Sequence, residues 1–240
     1  MYKNILFLVV FLVMLSSCNT MNKITRKEKR EGWVALFNGK DFSGWRQVNG
    51  SKMPANWTIE DHAMKVFTAE GKKPGWGNGG DIIFADKQFR NYELSIDWKT
   101  SKAGNSGIFY NVREEPGQPI YYAALEAQVL DNRDASDNVI ASHLAGSLYD
   151  MLAADPATVK PAGEWNNLVI KVENGNVTHT QNGVPVVSYQ LWTPEWDIMV
   201  KKSKFKNFPG FKKGISKEGY IGLQDHGYPV WFRNIKIREL

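Results

Sequence analysis

From Gly32 onward the chain runs in short stretches of alternating apolar and polar residues, separated by Gly and Asn, and this pattern restricts it to a β fold. In residues 91–99, Tyr92, Leu94, Ile96 and Trp98 alternate with Glu93, Ser95, Asp97 and Lys99. A strand with that spacing turns four apolar side chains to one face. Asn38-Gly39, Asn174-Gly175 and Asn182-Gly183 are turn signals, because both residue types tolerate the positive φ of tight hairpins. Residues 165–173 and 177–181 make a hairpin around Asn174-Gly175, and Asn182-Gly183 leads into 184–189. Further strands are expected over 33–37, 57–66, 81–84, 107–113, 219–224 and 231–239. In the last of them Ile235 and Ile237 face one way, Lys236 and Arg238 the other. Only residues 193–203 suit a helix. About a dozen strands predict one all-β domain over residues 32–240, two antiparallel sheets packed as a sandwich.

The N-terminus reads as a targeting signal. Lys3 precedes an apolar run from Ile5 to Leu15, too short to span a bilayer comfortably. Leu15-Ser16-Ser17-Cys18 then has the form of a bacterial lipobox, with the chain's single cysteine at the lipidation position. Residues 1–17 are expected to be removed, Cys18 to carry the lipid, and residues 18–31 to form a flexible tether. Asn19 rather than Asp after Cys18 favours the outer membrane of a cell envelope. With no other cysteine, the exported domain has no disulfide to rely on.

The net charge of +5 is local. Lys3 leaves with the signal, and the tether holds five basic residues and two Glu, so the domain is near +1. Within it the basic residues cluster between Lys201 and Lys213. Such a distribution gives no support for nucleic-acid binding and suits a tether beside a membrane surface.

Residues 121–131, Tyr-Tyr-Ala-Ala-Leu-Glu-Ala-Gln-Val-Leu-Asp, carry the chemistry. As a strand they place Ala124, Glu126, Gln128 and Leu130 on one face, and Ala123, Leu125, Ala127 and Val129 on the other. A carboxylate and a carboxamide two residues apart, with Asp131 at the strand end, suit hydroxyl-rich ligands and proton transfer. A solvated sheet face would explain the same pattern without chemistry.

Asn105-Ser106-Gly107-Ile108, Glu126-Ala127-Gln128-Val129-Leu130-Asp131, Gly163-Glu164-Trp165-Asn166, Asn182-Gly183 and Gly219-Tyr220-Ile221-Gly222-Leu223-Gln224-Asp225-His226-Gly227 follow in order. Val230-Trp231-Phe232-Arg233-Asn234-Ile235-Lys236-Ile237 ends the series. Together they resemble the 3-keto-disaccharide hydrolase family over roughly residues 32–240. Ser203-Lys204-Phe205-Lys206 with Pro209 and Phe211 is similar to a subgroup common in lipoproteins of Bacteroidetes-type bacteria. The resemblance implies a concanavalin A-like jelly-roll sandwich, the fold of family-16 glucanases and many lectins, acting on glycosides oxidised at C3. Fold alone does not separate cutting from binding, so a non-catalytic carbohydrate-binding lipoprotein is the rival reading.

A C3 ketone acidifies the C2 proton, so cleavage by elimination and hydration needs a base, an acid for the leaving oxygen and a stabiliser for the enolate. Glu126 is the first candidate for the base or for a substrate-orienting carboxylate. If residues 220–226 stay extended, Gln224 and His226 share a face and oppose it, His226 serving as acid or base or steadying the oxyanion. Gln128 and Gln224 would hold hydroxyls. Asp131 is either a cation ligand or a turn cap. Arg113 either binds the ketone oxygen or pairs with Glu114 or Glu115, and Asn105 shapes a turn. His143 and Tyr149 sit in a loop similar to the family's cleft rim, Tyr149 being the better ligand candidate. Trp76 and Trp231 are candidate stacking platforms. Asn78-Gly79-Gly80-Asp81 is a turn without the Lys and Ser/Thr of a phosphate loop. No cofactor is required by any motif, although a divalent cation held through tertiary contacts stays open.

The lipobox makes one prediction. Cys18→Ala should shift the protein from the membrane fraction to the soluble fraction, and unchanged fractionation would remove the anchor.

Overall fold

In a computed structural model the described residues are 21–73 and 80–240, so Cys18, the signal segment, Trp76 and the Asn78-Gly79 turn lie outside them. The strands are β1 (Val34–Ala35), β2 (Trp45–Gln47), β3 (Trp57–Glu60), β4 (Ala63–Val66), β5 (Ile82–Phe89), β6 (Tyr92–Thr100) and β7 (Asn105–Val112), then β8 (Leu125–Leu130), β9 (Asn166–Glu173), β10 (Asn176–Gln181), β11 (Val184–Gln190), β12 (Gly219–Leu223) and β13 (Val230–Glu239). They form two antiparallel sheets. The larger has the order β11-β10-β9-β6-β13-β4-β3, with β1 also on β13, and the smaller β2-β5-β12-β7-β8. The short helices are α1 (Arg26–Arg30), α2 (Pro194–Lys202) and α3 (Pro209–Lys212).

The core lies between the sheets. Tyr92, Leu94, Ile96 and Trp98 of β6 are all buried there, as their alternation predicts. Opposite them stand Ile108 and Tyr110 of β7, Leu125, Ala127 and Val129 of β8, and Ile221 and Leu223 of β12. Each such side chain stabilises the fold by about 1.5–3 kcal/mol when fully buried. The intervening residues of the smaller sheet, Ile83 and Phe109, turn outward and form a second cluster with Ile120 and Ala124. That outer face is therefore covered too, and its uncovered part becomes the site.

The hairpins follow from their turn residues. Asn174 and Gly175 have φ of 51° and 85°, and Asn182 and Gly183 have 49° and 84°, the left-handed pair of a tight hairpin. Residues 57–66, which alternation reads as one strand, form a hairpin instead, because Asp61 and His62 take φ of 49° and 61° and turn the chain between β3 and β4. In β13 the buried set runs Val230, Phe232, Ile235, Ile237. The parity changes at a register shift around Asn234, whose φ is 51°. The helix expected over 193–203 forms as α2, started by Thr193 accepting from Trp196 N and by Pro194 in its first turn.

A buried polar string crosses the core. His179, pushed down to about 4 by burial, is neutral. Its Nδ1 donates to Gly146 O at 2.9 Å and its Nε2 accepts from Tyr110 Oη at 2.7 Å; the Tyr189 hydroxyl follows at 2.5 Å from Tyr110. The string ties the 146–149 loop to the sandwich interior.

The described part of the N-terminal segment, from Met21, is docked rather than free. Asn22 N donates to Asn234 Oδ1 at 2.7 Å and Asn234 N to Asn22 Oδ1 at 2.8 Å, while Asn22 Nδ2 donates to His62 O. A Thr25/Glu28 capping box starts α1, and Glu28 pairs with Lys236. Asn22 has φ 59°, a conformation Asn adopts more readily than Ala. Asn22→Ala should therefore lower unfolding free energy by about 1–3 kcal/mol, read as a lower urea midpoint at constant m-value. An unchanged midpoint would mean the docking contributes nothing to the fold.

Candidate active site

β8 is an edge strand whose outward face carries Glu126 and Gln128, as its alternation requires. Its free edge is closed by the 146–149 loop, through Gly146 N to Gln128 O, Gln128 N to Ser147 O and Tyr149 N to Glu126 O. The two side chains open into a cavity of about 550 Å³ on the outer face of the smaller sheet. Gln224 and His226 line the same cavity. Gln224 continues the line of β12, since its N–H donates to Gly107 O at 3.0 Å and its carbonyl accepts from Ser106 Oγ at 2.8 Å. The four residues that sequence placed on two opposed strand ends therefore face one space.

Gly107 makes that arrangement possible. A Cβ at this position would lie 2.4 Å from Glu126 Oε1 and 2.9 Å from its Cγ and Cδ. The Glu126 side chain thus lies folded over the backbone of β7. Gln128, oriented so that both ends of its amide are satisfied, donates to Glu126 Oε1 at 3.2 Å and to Ser106 O at 2.9 Å.

Glu126 is 6% exposed. Burial pushes its carboxyl up to about 8; Lys204 opposes the rise, and Asp81 and Asp137 add to it. Burial pushes His226 the other way, below 6.5. At neutral pH the free site therefore holds a carboxylic acid and a neutral imidazole, a pair with divided roles. His226 Nδ1 and Gln224 Oε1 are buried and have no partner among the described residues. Each orphan costs about 1–3 kcal/mol until a ligand satisfies it.

The floor contains a second carboxylate pair. Asp225 N donates to Asp81 Oδ1 at 2.8 Å, and the Asp225 carboxylate accepts from Asn56 Nδ2 at 2.8 Å and Gly227 N at 2.9 Å. Loss of solvation, with the Asp225 charge adding, pushes Asp81 up to about 7. Gly80 packs against this pair, because a Cβ there would meet Asp225 Oδ2 at 2.5 Å.

The far wall is a braced panel. Tyr149 donates to Asp137 Oδ2 at 2.9 Å and stacks on His143 at 4.3 Å between ring centroids. His143 is hydrogen-bonded at Nδ1 to Asp137 and at Nε2 to Asp150. Asp150 also accepts Lys204 N at 2.6 Å, and Lys204 Nζ lies 4.1 Å from the Tyr149 ring centroid. Burial, with the Glu126 and Asp137 charges, holds the Tyr149 phenol protonated. His143 is thus a brace, and Tyr149 and Lys204 are the groups it presents to the cavity. Tyr121 and Phe208 supply the aromatic wall.

Three expectations are corrected. Arg113 is absent from the cavity lining; its guanidinium bonds Glu115 and the carbonyls of Gly210 and Gly214, pinning the helical segment to β7. Asp131 is likewise absent from the cavity lining: it is 4% exposed and accepts Ala103 N and Arg133 N, the turn-cap alternative. Trp231 lies on the larger sheet, donating to Glu60 between Lys65 and Lys99, away from the cleft. Asn105 does line the cavity. Sequence reasoning passed over Asp81, Asp137, Lys204 and Asp225 as site residues. Asp225 stood inside a quoted motif and Lys204 in another, but nothing local distinguished them from solvated charges. Among the described residues no three His, Cys, Asp or Glu side chains gather in a metal-holding group.

Two antiparallel sheets packed face to face, with a polar cleft on the smaller that pairs a buried carboxyl with an imidazole, make a jelly-roll protein with an enzyme-like site. A Bacillus subtilis carbohydrate-binding module, CBM66, shares the fold alone, at 12% identity and a TM-score of 0.50 over 82% of this chain and 96% of that one. A Parabacteroides distasonis protein proposed to be a glycosyl hydrolase matches far better, at 32% identity and a TM-score of 0.81 over 92% of this chain and 99% of that one. A 3-keto-disaccharide hydrolase of Bacteroides thetaiotaomicron is 43% identical over 230 residues, 88% of this chain and 79% of the relative. Residues 32–238 match the model of the 3-keto-alpha-glucoside-1,2-lyase-like domain. The chain belongs to that family, and it is an enzyme of the glycoside-cleaving class.

Gly107 gives the sharpest test of the geometry. Gly107→Ala must displace the Glu126 carboxyl, and a shift of about 1 Å costs on the order of 10²-fold in turnover. Circular dichroism should show the sandwich intact. Wild-type turnover in the variant would show that the carboxyl's position is immaterial.

Proposed function

We propose that this protein cleaves 3-keto-glycosides by elimination and hydration, with His226 as base and Glu126 as acid. The observation that carries the reading is the opposed shift of these two groups on one cavity. Burial turns Glu126 from the first candidate for the base into the proton donor, because a carboxyl near 8 is protonated at neutral pH. His226, neutral and with Nδ1 unpartnered, takes the C2 proton. The electrons of that C–H bond form the enolate of the C3 ketone. Lys204, the one Lys or Arg among the described lining residues, stabilises its oxygen. The enolate then collapses, the C1–O bond breaks, and Glu126 gives its proton to the departing aglycone oxygen. Water adds to the resulting enone: its hydroxyl goes to C1, Glu126 recovers a proton from it, and the imidazolium, which has exchanged its proton with water while the aglycone departs, returns one to C2. Both groups end as they began.

Gln128 and Gln224 hold sugar hydroxyls, and Tyr121 and Phe208 offer the ring a hydrophobic wall. The similar Bacteroides protein, named a 3-keto-disaccharide hydrolase, supports the substrate class. The carbohydrate-binding alternative leaves the divided proton affinities without a use, and would appear as glycan binding without turnover. We also propose a lipid anchor at Cys18 and a place in the cell envelope, on the strength of the lipobox.

Two measurements test this. A 3-keto-glucoside should be cleaved while its unoxidised parent is left intact; comparable cleavage of both would contradict the mechanism. The pH dependence of kcat/KM should be bell-shaped. Activity falls as pH drops through the lowered His226 value, below 6.5, because the base becomes protonated. It falls again as pH rises through about 8, because Glu126 loses the proton it must donate. Glu126→Gln should cost about 10²–10⁴ in kcat, and its residual activity should lose the alkaline limb. Asp81→Asn should keep that limb; its loss there instead would make Asp81 the acid.

A further inference from the structure

Beside the main cavity lies a second one of about 210 Å³. The two share Asn105, Asp137, Tyr149 and His226 as a common partition. The second chamber's own lining is Ala103, Ala135, Ser136 and Tyr228. These are small residues and one aromatic ring, and Tyr228 lies nearly parallel to His226, with centroids 6.3 Å apart and planes at 20°. No Lys or Arg lines the chamber among the described residues, and the Asp137 carboxylate faces it with both oxygens already engaged by Tyr149 and His143.

We propose that this chamber is the leaving-group subsite, and that it seats one uncharged ring of the aglycone, a neutral monosaccharide or an aryl group. The inference rests on the elimination reading above and assigns its two halves to two spaces. The main cavity holds the ring that reacts, because Glu126, Lys204, Gln128 and Gln224 line it and not the smaller chamber. The proton-transfer group common to both spaces is His226, which places C1–C2 at the partition. The departing oxygen then stays on the Glu126 side of the partition, and the aglycone beyond it enters the smaller space. That space has less than half the volume of the first, so it seats one ring of the aglycone. The fixed Asp137 charge, with no cation opposite, disfavours a carboxylated or sulfated aglycone. Tyr228 gives the ring a flat neighbour without demanding a particular hydroxyl pattern, so the selection is by size and charge.

The test compares three substrates sharing one 3-keto-glucosyl group: methyl, phenyl and carboxyphenyl glycosides. Wild-type enzyme should cleave the methyl and phenyl compounds, with kcat/KM at least tenfold lower for the carboxyphenyl one. Ser136 is exposed at the chamber's edge, so Ser136→Trp fills the space without entering the core. That variant should lose at least tenfold in kcat/KM on the phenyl glycoside and keep the methyl glycoside within about twofold. Tyr228→Ala should raise KM for the phenyl compound by a larger factor than for the methyl compound. Equal losses on methyl and phenyl substrates, or no loss on either, would overturn the subsite while leaving the mechanism standing. Failure of wild-type enzyme on all three would overturn the elimination reading and the subsite with it.

Discussion

The site depends on a carboxyl group held out of water against a glycine. Glu126 lies on the outward face of an edge strand, where a carboxylate would ordinarily be solvated. It is 6% exposed because the 146–149 loop closes the strand edge and the bare backbone of Gly107 accepts the side chain. Desolvation favours the neutral form and outweighs the opposing charge of Lys204. In the mechanism we propose, a group that sequence suggests as a base serves as the acid, and the base role passes to His226. The rest of the cleft follows from holding these two groups on one space.

Much of the supporting structure is second-order to that pair. The His179–Tyr110–Tyr189 string fixes Gly146, and Gly146 fixes the edge of β8. The Asp137–His143–Asp150 brace holds Tyr149 and delivers Lys204 to the same wall. Arg113, expected in the cleft, acts from behind it by fastening the segment that contains α3. Rigid positioning of this kind lets a fold shared with binding modules support proton transfer.

Period-two alternation carried the sequence reading a long way. It located the core side of β6 and β8, and the Asn-Gly turn residues located two hairpins, because each depends only on neighbours along the chain; that Gln224 and His226 share a cavity with Glu126 and Gln128 depends on how β12 and β8 are placed in the sheet. It failed where the backbone departs from regularity. Asp61-His62 turns a strand into a hairpin, and Asn234 shifts the parity of β13. Long-range partners were equally hidden: Asp81 meets Asp225 across 144 positions, and Lys204 meets Asp150 across 54. The raised proton affinity of Glu126 was not legible either, since burial belongs to the assembled fold and not to the strand.

The central claim is that the C2 proton leaves before the glycosidic bond is made good by water. Turnover of a 3-keto-glucoside in D₂O, stopped early and read by NMR against a control for exchange of the free product, tests it most directly. The account predicts one deuterium at C2 of the released 3-keto sugar. Release of product that keeps its original hydrogen at C2 would contradict it and point to direct displacement at C1.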